Sequence, residues 1–261
     1  MEEHLTWAVR NPVVFRFTKT RTLPERWCPW DYWIFRKPGP IFWEAPFEVS
    51  GAPDGIFLTH AHIGHYTGLM FLGREAMNAH EVPVYGLPRM LEFLRKNGPW
   101  DQLVRLGNIQ LRSTSENTPV TLSDHLEVIP FRVPHRDEYS ETAGYRITGP
   151  SRTAVFIPDI DKWDQWEVSL PDILENVDLA FLDATFYNSA EIGYRDMSEI
   201  PHPFVVETMS LLGKLPESLR RKVFFIHMNH TNPLLDPHSA ESKIVERSGF
   251  RIARIGDRFK L

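Results

Sequence analysis

Three histidines fall within six residues, His60-Ala61-His62-Ile63-Gly64-His65, directly behind the short apolar run Gly55-Ile56-Phe57-Leu58-Thr59. A run of that length and character reads as a buried strand. In an extended segment residues i and i+2 project from the same face, so His60 and His62 can both reach one ion. His65 lies in the turn beyond and can aim at a second position nearby. Neutral imidazole is the commonest metal ligand. The chain has 11 histidines, so a chance surface cluster is the competing reading. Their place at the end of an apolar run, with Gly64 and Gly68 loosening the turn, favours a metal site.

With 261 residues, 42% of them hydrophobic and 24% charged, the chain can bury a full core, and we expect one domain over 1–261. The formal net charge of -5 is the opposite of a nucleic-acid binder's footprint. Arg220-Arg221-Lys222 reads as a solvated helix end. One cysteine, Cys28, rules out an internal disulfide framework and fits a reducing compartment. The acidic start Met1-Glu2-Glu3-His4 has no apolar run behind it, so no signal peptide is expected. No stretch approaches the roughly 20 apolar residues of a membrane span. The expectation is a soluble, cytoplasmic protein, with no nucleic-acid or membrane partner and an oligomeric state the sequence does not specify.

Along the chain, residues 27–43 are dense in aromatics and prolines, which suits core strands or an aromatic lid over a pocket. Strands are expected at 55–59, 82–85, 108–112, 126–133, 143–147, 153–157, 179–182, 223–226 and 251–255. Helices are expected at 68–78, 87–96, 204–212 and 239–247. Strands and helices alternate at both ends, around an antiparallel-looking block. That order suits an α/β fold of two sheets packed face to face with helices outside.

The segment Thr59-His60-Ala61-His62-Ile63-Gly64-His65-Tyr66-Thr67-Gly68 resembles the H-x-H-x-D-H signature of the metallo-β-lactamase fold. Three later segments extend the likeness. Leu126-Glu127-Val128-Ile129-Pro130-Phe131-Arg132-Val133-Pro134-His135 is a strand ending in histidine. Ala154-Val155-Phe156-Ile157-Pro158-Asp159 is a strand ending in aspartate. Phe224-Phe225-Ile226-His227-Met228-Asn229-His230-Thr231-Asn232-Pro233 ends in an H-x-N-x-T-N-P run similar to the branch containing pyrroloquinoline quinone (PQQ) biosynthesis protein B. The resemblance implies a four-layer αβ/βα sandwich of two mixed sheets with helices outside. It implies that His60, His62 and His135 hold a first metal. Asp159 would bridge to a second metal, which His65 and His227 also bind. Gly64 replaces the family's remaining ligand, an aspartate. Two outcomes follow: one ion at the three histidines with Asp159 as fourth ligand, or a second site of His65, His227 and Asp159 completed by water. The ion is a divalent metal, zinc first, with iron or manganese as alternatives. Asp161 reads first as a loop residue and second as a support for the ligands, a role for which His230 is also a candidate. Asp137 and Glu138 read as loop residues, and His4, His80, His125 and His238 show no pattern.

The strand exit Asp183-Ala184-Thr185-Phe186 resembles the acidic-A-T-F segment of the related tRNA 3′-processing and phosphodiesterase branches. There the carboxylate pairs with a downstream histidine, here His202. A carboxylate-held imidazole makes a general acid, so Asp183, His202 and Asp159 are the candidate catalytic residues. The alternative is that Asp183 ends a strand and His202 sits in a turn. Three functions remain open. One is a metallo-hydrolase cleaving an ester, lactone, amide or phosphodiester in a small-molecule or peptide-derived substrate. Another, implied by the resemblance, is iron-dependent oxidation of a tyrosine- or peptide-derived precursor, as in the PQQ branch. The third is a metal-binding protein without catalysis.

Overall fold

Four wholly or largely buried strands organise the part of the chain that carries most of the candidate residues. The computed structural model describes residues 53–191, 200–254 and 257–261, with the backbone of β1 (Glu3–Thr6) and β2 (Phe17–Lys19). The aromatic stretch 27–43, Cys28 and residues 192–199 lie outside the described residues. The chain divides into two units. The first comprises Met1–Thr118, Asp137–Ala143 and Arg254–Leu261; the second comprises Pro119–Arg136 and Gly144–Ala253.

In the first unit β3 (Ile56–Phe57), β4 (Val82–Gly86) and β5 (Ile109–Ser113) form a parallel sheet in that order. β4 alternates buried and half-buried residues, as a strand with one covered face does. Helices α1 (Pro88–Lys96) and α2 (Trp100–Arg105) bury Met90, Leu91, Leu94 and Leu103 in the same core as Leu58, Leu69 and Leu72. The helix expected over 68–78 is a 3-10 helix at Thr67–Leu72 followed by turns. Gly73 ends it, and Asn78 adopts a left-handed φ of 45° that no helix accommodates. A separate antiparallel sheet has the order β13-β1-β2, with β13 at Arg258–Lys260.

The second unit is built on a seven-stranded sheet among the described residues, order β12-β11-β10-β9-β8-β7-β6. The strands are β6 (Val120–Ser123), β7 (Leu126–Arg132), β8 (Ala143–Thr148), β9 (Thr153–Ile157), β10 (Leu179–Asp183), β11 (Val223–Ile226) and β12 (Arg251–Ile252). β9 to β12 run parallel, whereas β8 is antiparallel to β9 and β6 to β7. Every residue of β10 and β11 is buried, the pattern of parallel strands covered on both faces. Helices α3 (Leu170–Glu175), α4 (Val205–Leu212) and α6 (Ala240–Arg247) supply Leu170, Leu174, Val205, Leu212 and Val245 to this core. A single turn, α5 (Glu217–Arg220), precedes β11. Parallel pairing brings the C-terminal ends of β9, β10 and β11 to one edge, with Ile157 opposite Leu182 and Asp183 opposite Ile226.

Candidate metal centre

That edge is where an open parallel sheet presents groups to a ligand. Asp183 is the last residue of β10, Asp159 lies two residues past β9, and His227 lies one residue past β11. β9 ends at Ile157, so Asp159 and Asp161 sit in the bend beyond it and not on one face of a continuing strand. The backbone N–H of Asp161 donates to the Pro134 carbonyl at 2.8 Å, tying this bend to the segment that carries His135. His227 adopts φ 61°, the left-handed region, which a non-glycine residue occupies at a cost of about 1 kcal/mol or more.

The side chains of the second unit meet at Asp159. His135 Nε2 lies 3.3 Å from Asp159 Oδ1, His202 Nδ1 3.0 Å from the same oxygen, and His227 Nε2 4.0 Å from Oδ2. His202 Nδ1 also stands 2.8 Å from Asp183 Oδ2, so the expected pairing of these two residues is present in the structure. Asp183 Oδ2 further accepts from the Ile160 backbone N–H (3.2 Å), and Oδ1 accepts from the Thr185 N–H (2.8 Å) and hydroxyl (2.6 Å). Asp159, Asp183, His135, His202 and His227 are all buried.

Burial alone would raise the pKa of Asp183. The charge and hydrogen bond of the adjacent His202, helped by the His227 ring 3.6 Å away, reverse this and bring it to about 2. Burial likewise opposes ionisation of Asp159, yet the neighbouring His202 and His227 rings and the His135 contact hold its pKa well below the usual carboxylate range. For His202, burial would lower the pKa, but the flanking carboxylates of Asp159 and Asp183 raise it to about 10. His135 shows the same opposition: burial lowers its pKa, the Asp159 contact raises it, and the net shift is upward.

His135 has carboxylates at both ends of its ring. Nδ1 lies 2.9 Å from Asp161 Oδ1, on the opposite side from Asp159. An ionised carboxylate only accepts, so Nδ1 carries a proton and Nε2 faces Asp159. Asp161 therefore orients a candidate ligand, a common arrangement behind metal-bound histidines.

In the first unit the segment past β3 is tied down by hydrogen bonds to its backbone. Leu58 N–H donates to Tyr85 O (2.9 Å), Ala143 N–H to Thr59 O (3.0 Å), and Ala61 N–H to Ser140 Oγ (2.8 Å). His62 is extended, and Ile63–His65 forms one 3-10 turn. Tyr66 anchors that turn between Phe93 and Trp100, at ring separations of 5.1 and 5.0 Å. His60 Nε2 and His62 Nδ1 face each other at 2.9 Å. The outer nitrogens have oxygen partners: His60 Nδ1 with Thr59 Oγ1 at 3.1 Å, and His62 Nε2 with Glu138 Oε2 at 2.8 Å. The His65 ring packs 4.1 Å from that of His60. Inner nitrogens turned toward one another, with outer nitrogens tied to oxygens, suit a cation. The donor set of imidazole nitrogens and carboxylate oxygens fits zinc, iron or manganese.

Thr59, Glu138 and Thr185 were not singled out from sequence as supports. Glu138, read as a loop residue, is the partner of His62 across 76 residues. His230 is exposed and turned to the Asn229 side chain, away from the supporting role expected of it. His80, His125 and His238 are exposed.

Residues 28–228 match the family model described as the beta-lactamase superfamily domain. The chain belongs to the β-lactamase superfamily. Within that superfamily it falls in the branch of coenzyme PQQ synthesis protein B. The Gluconobacter oxydans (strain 621H) protein of that name is 30% identical over 238 residues, covering 82% of this chain and 75% of the relative. The protein from Xanthomonas campestris pv. campestris (strain 8004) is 26% identical over 236 residues, covering 83% and 76%. Two solved structures share the fold. Zn(2+)-bound PqqB from Methylobacterium extorquens has a TM-score of 0.63 at 19% identity, over 78% of this chain and 72% of that one. Igni18, a metallo hydrolase from Ignicoccus hospitalis KIN4/I, has a TM-score of 0.58 at 14% identity, over 100% and 99%. The fold is thus the superfamily's, two sheets flanked by helices, as the sequence implied. No helix among the described residues is long and apolar enough to cross a membrane.

Proposed function

We propose that this chain is a metal-dependent hydrolase. His60, His62 and His135 hold a divalent ion with Asp159, and His65 and His227 offer a second position beside the same carboxylate. Zinc is the first candidate, and a zinc-bound relative supports it. A bound ion would polarise the scissile carbonyl or phosphoryl group and lower the pKa of a coordinated water from about 15.7 to about 7. The observation that carries the hydrolytic reading is the imidazole of His202 held at Nδ1 by the carboxylates of both Asp183 and Asp159. His202 gives its proton to the leaving oxygen or nitrogen, and Asp183 stabilises the charged ring beforehand and holds it in place. Gly64 supplies no carboxylate base, so proton handling falls to Asp159 and the Asp183–His202 pair. The substrate class is an ester, lactone, amide or phosphodiester of a small molecule or a peptide-derived compound. The lone cysteine and the absence of a membrane-spanning helix among the described residues suit a cytoplasmic setting.

A second reading rests on the relatives named for PQQ synthesis. Two histidines and one carboxylate with open positions is also the ligand set of non-haem iron oxygenases. In that reading iron and oxygen act on a tyrosine- or peptide-derived precursor. Metal analysis of the protein as purified separates the two, run beside His60→Ala and His135→Ala. Both variants are expected to lose most bound metal; wild-type stoichiometry in either would overturn the shared centre. Zinc with turnover of an ester or phosphodiester panel supports hydrolysis. His202→Gln is then expected to lower kcat by about 100- to 10,000-fold with metal retained. Iron with oxygen uptake and no hydrolysis supports the second reading. Metal without either activity would mark a binding protein.

A further inference from the structure

We infer that Thr185 is a positioning residue: its hydroxyl fixes which ring nitrogen of His227 carries the proton, and so aims the Nε2 lone pair at the ion position beside Asp159. This goes beyond the proposed activity and rests on that reading only for the ion. The argument starts from Asp183, whose pair of oxygens is surrounded by donors from Ile160, Thr185 and His202. An ionised carboxylate can only accept. The Thr185 hydroxyl, 2.6 Å from Asp183 Oδ1, must therefore give it its one proton. Having donated there, the same oxygen has only lone pairs to offer His227 Nδ1 at 2.8 Å. That contact is a hydrogen bond only if Nδ1 is the protonated nitrogen. Nε2 then presents its lone pair on the side where Asp159 Oδ2 lies, at 4.0 Å.

His202 Nδ1 also approaches the hydroxyl, at 3.2 Å. It lies nearer to Asp183 Oδ2 at 2.8 Å and Asp159 Oδ1 at 3.0 Å, so its proton goes to the carboxylates and does not compete for the threonine oxygen's role. Thr185 is buried, so water does not replace it easily. The geometry parallels Asp161 behind His135, with a neutral hydroxyl polarised by its hydrogen bond to Asp183 in place of a carboxylate. Position 227 thus depends on the residue two places beyond the strand-ending aspartate.

The test uses the full chain labelled with 15N-histidine. In metal-free wild type, two-bond proton–nitrogen correlations should report His227 as the Nδ1–H tautomer. A proton on Nε2 would overturn the inference, whatever any variant does. Thr185→Val keeps the shape and removes the hydroxyl. It should mix or reverse the His227 tautomer and weaken zinc binding by about 10- to 100-fold. Thr185→Ser should restore both to near wild type. Wild-type zinc affinity in a folded Thr185→Val protein with an unchanged tautomer would sink the proposal. His135→Ala serves as the reference. If it too binds zinc normally, the metal-centre reading has failed; if only it loses zinc, the failure is confined to Thr185.

Discussion

At the scale of single residues, the candidate centre is an arrangement of nitrogens and oxygens in which His60, His62, His135 and His227 each meet an oxygen at one ring nitrogen. The clearest case is His135 between Asp161 and Asp159. Removing the outer carboxylate leaves the ring free to rotate and to place its proton on either nitrogen. Asp161→Ala is expected to lower metal affinity by about 10- to 100-fold with the fold intact, read by competition with a chromogenic chelator. The ligands themselves were legible in the sequence, because histidine and aspartate are informative where they end apolar runs. The partners were not. Threonine and glutamate are common, and nothing local marks Glu138 as the neighbour of His62, 76 residues away. Asp161 came closest, since it is two residues from Asp159 and near a bend.

At the scale of elements, the strands that carry the site were readable because their burial is extreme. β10 and β11 are continuous apolar runs, and each ends where the polarity changes. Short helices escaped: α2, α3 and α5 have 6, 6 and 4 residues, too few turns for a 3.6-residue period to emerge. β6 has no fully buried residue and so no apolar signature. Packing between elements is also tight at one glycine. A Cβ on Gly144 of β8 would lie 2.5 Å from the ring of Phe131, which stacks on Trp166 at 5.8 Å. Gly144→Ala must displace that ring. It is expected to destabilise the protein by about 1–3 kcal/mol, measured by chemical denaturation, without touching any ligand.

At the scale of the whole molecule, the order of motifs identified the superfamily and its branch, because the order of strand ends is the order of the ligands. How many ions bind stayed open, since Gly64 removes one ligand and a sequence does not say what fills a gap. Ligands drawn from segments as distant as residues 60 and 159 make the proposed ion a cross-link that only the native state can hold. Saturating zinc at about 100 times its dissociation constant should add about 2.7 kcal/mol, so Tm should rise with added metal and fall with a chelator. A Tm indifferent to both would argue against the centre.

His227 turns its backbone against the ordinary preference of an L-amino acid. Asparagine takes that conformation more readily, and its amide can still reach a neighbouring hydroxyl. His227→Asn should therefore match or exceed wild type in thermal stability without metal, while binding less of it. Selection for robustness alone would erode this centre without leaving a scar, so a well-behaved preparation is no witness to a working one.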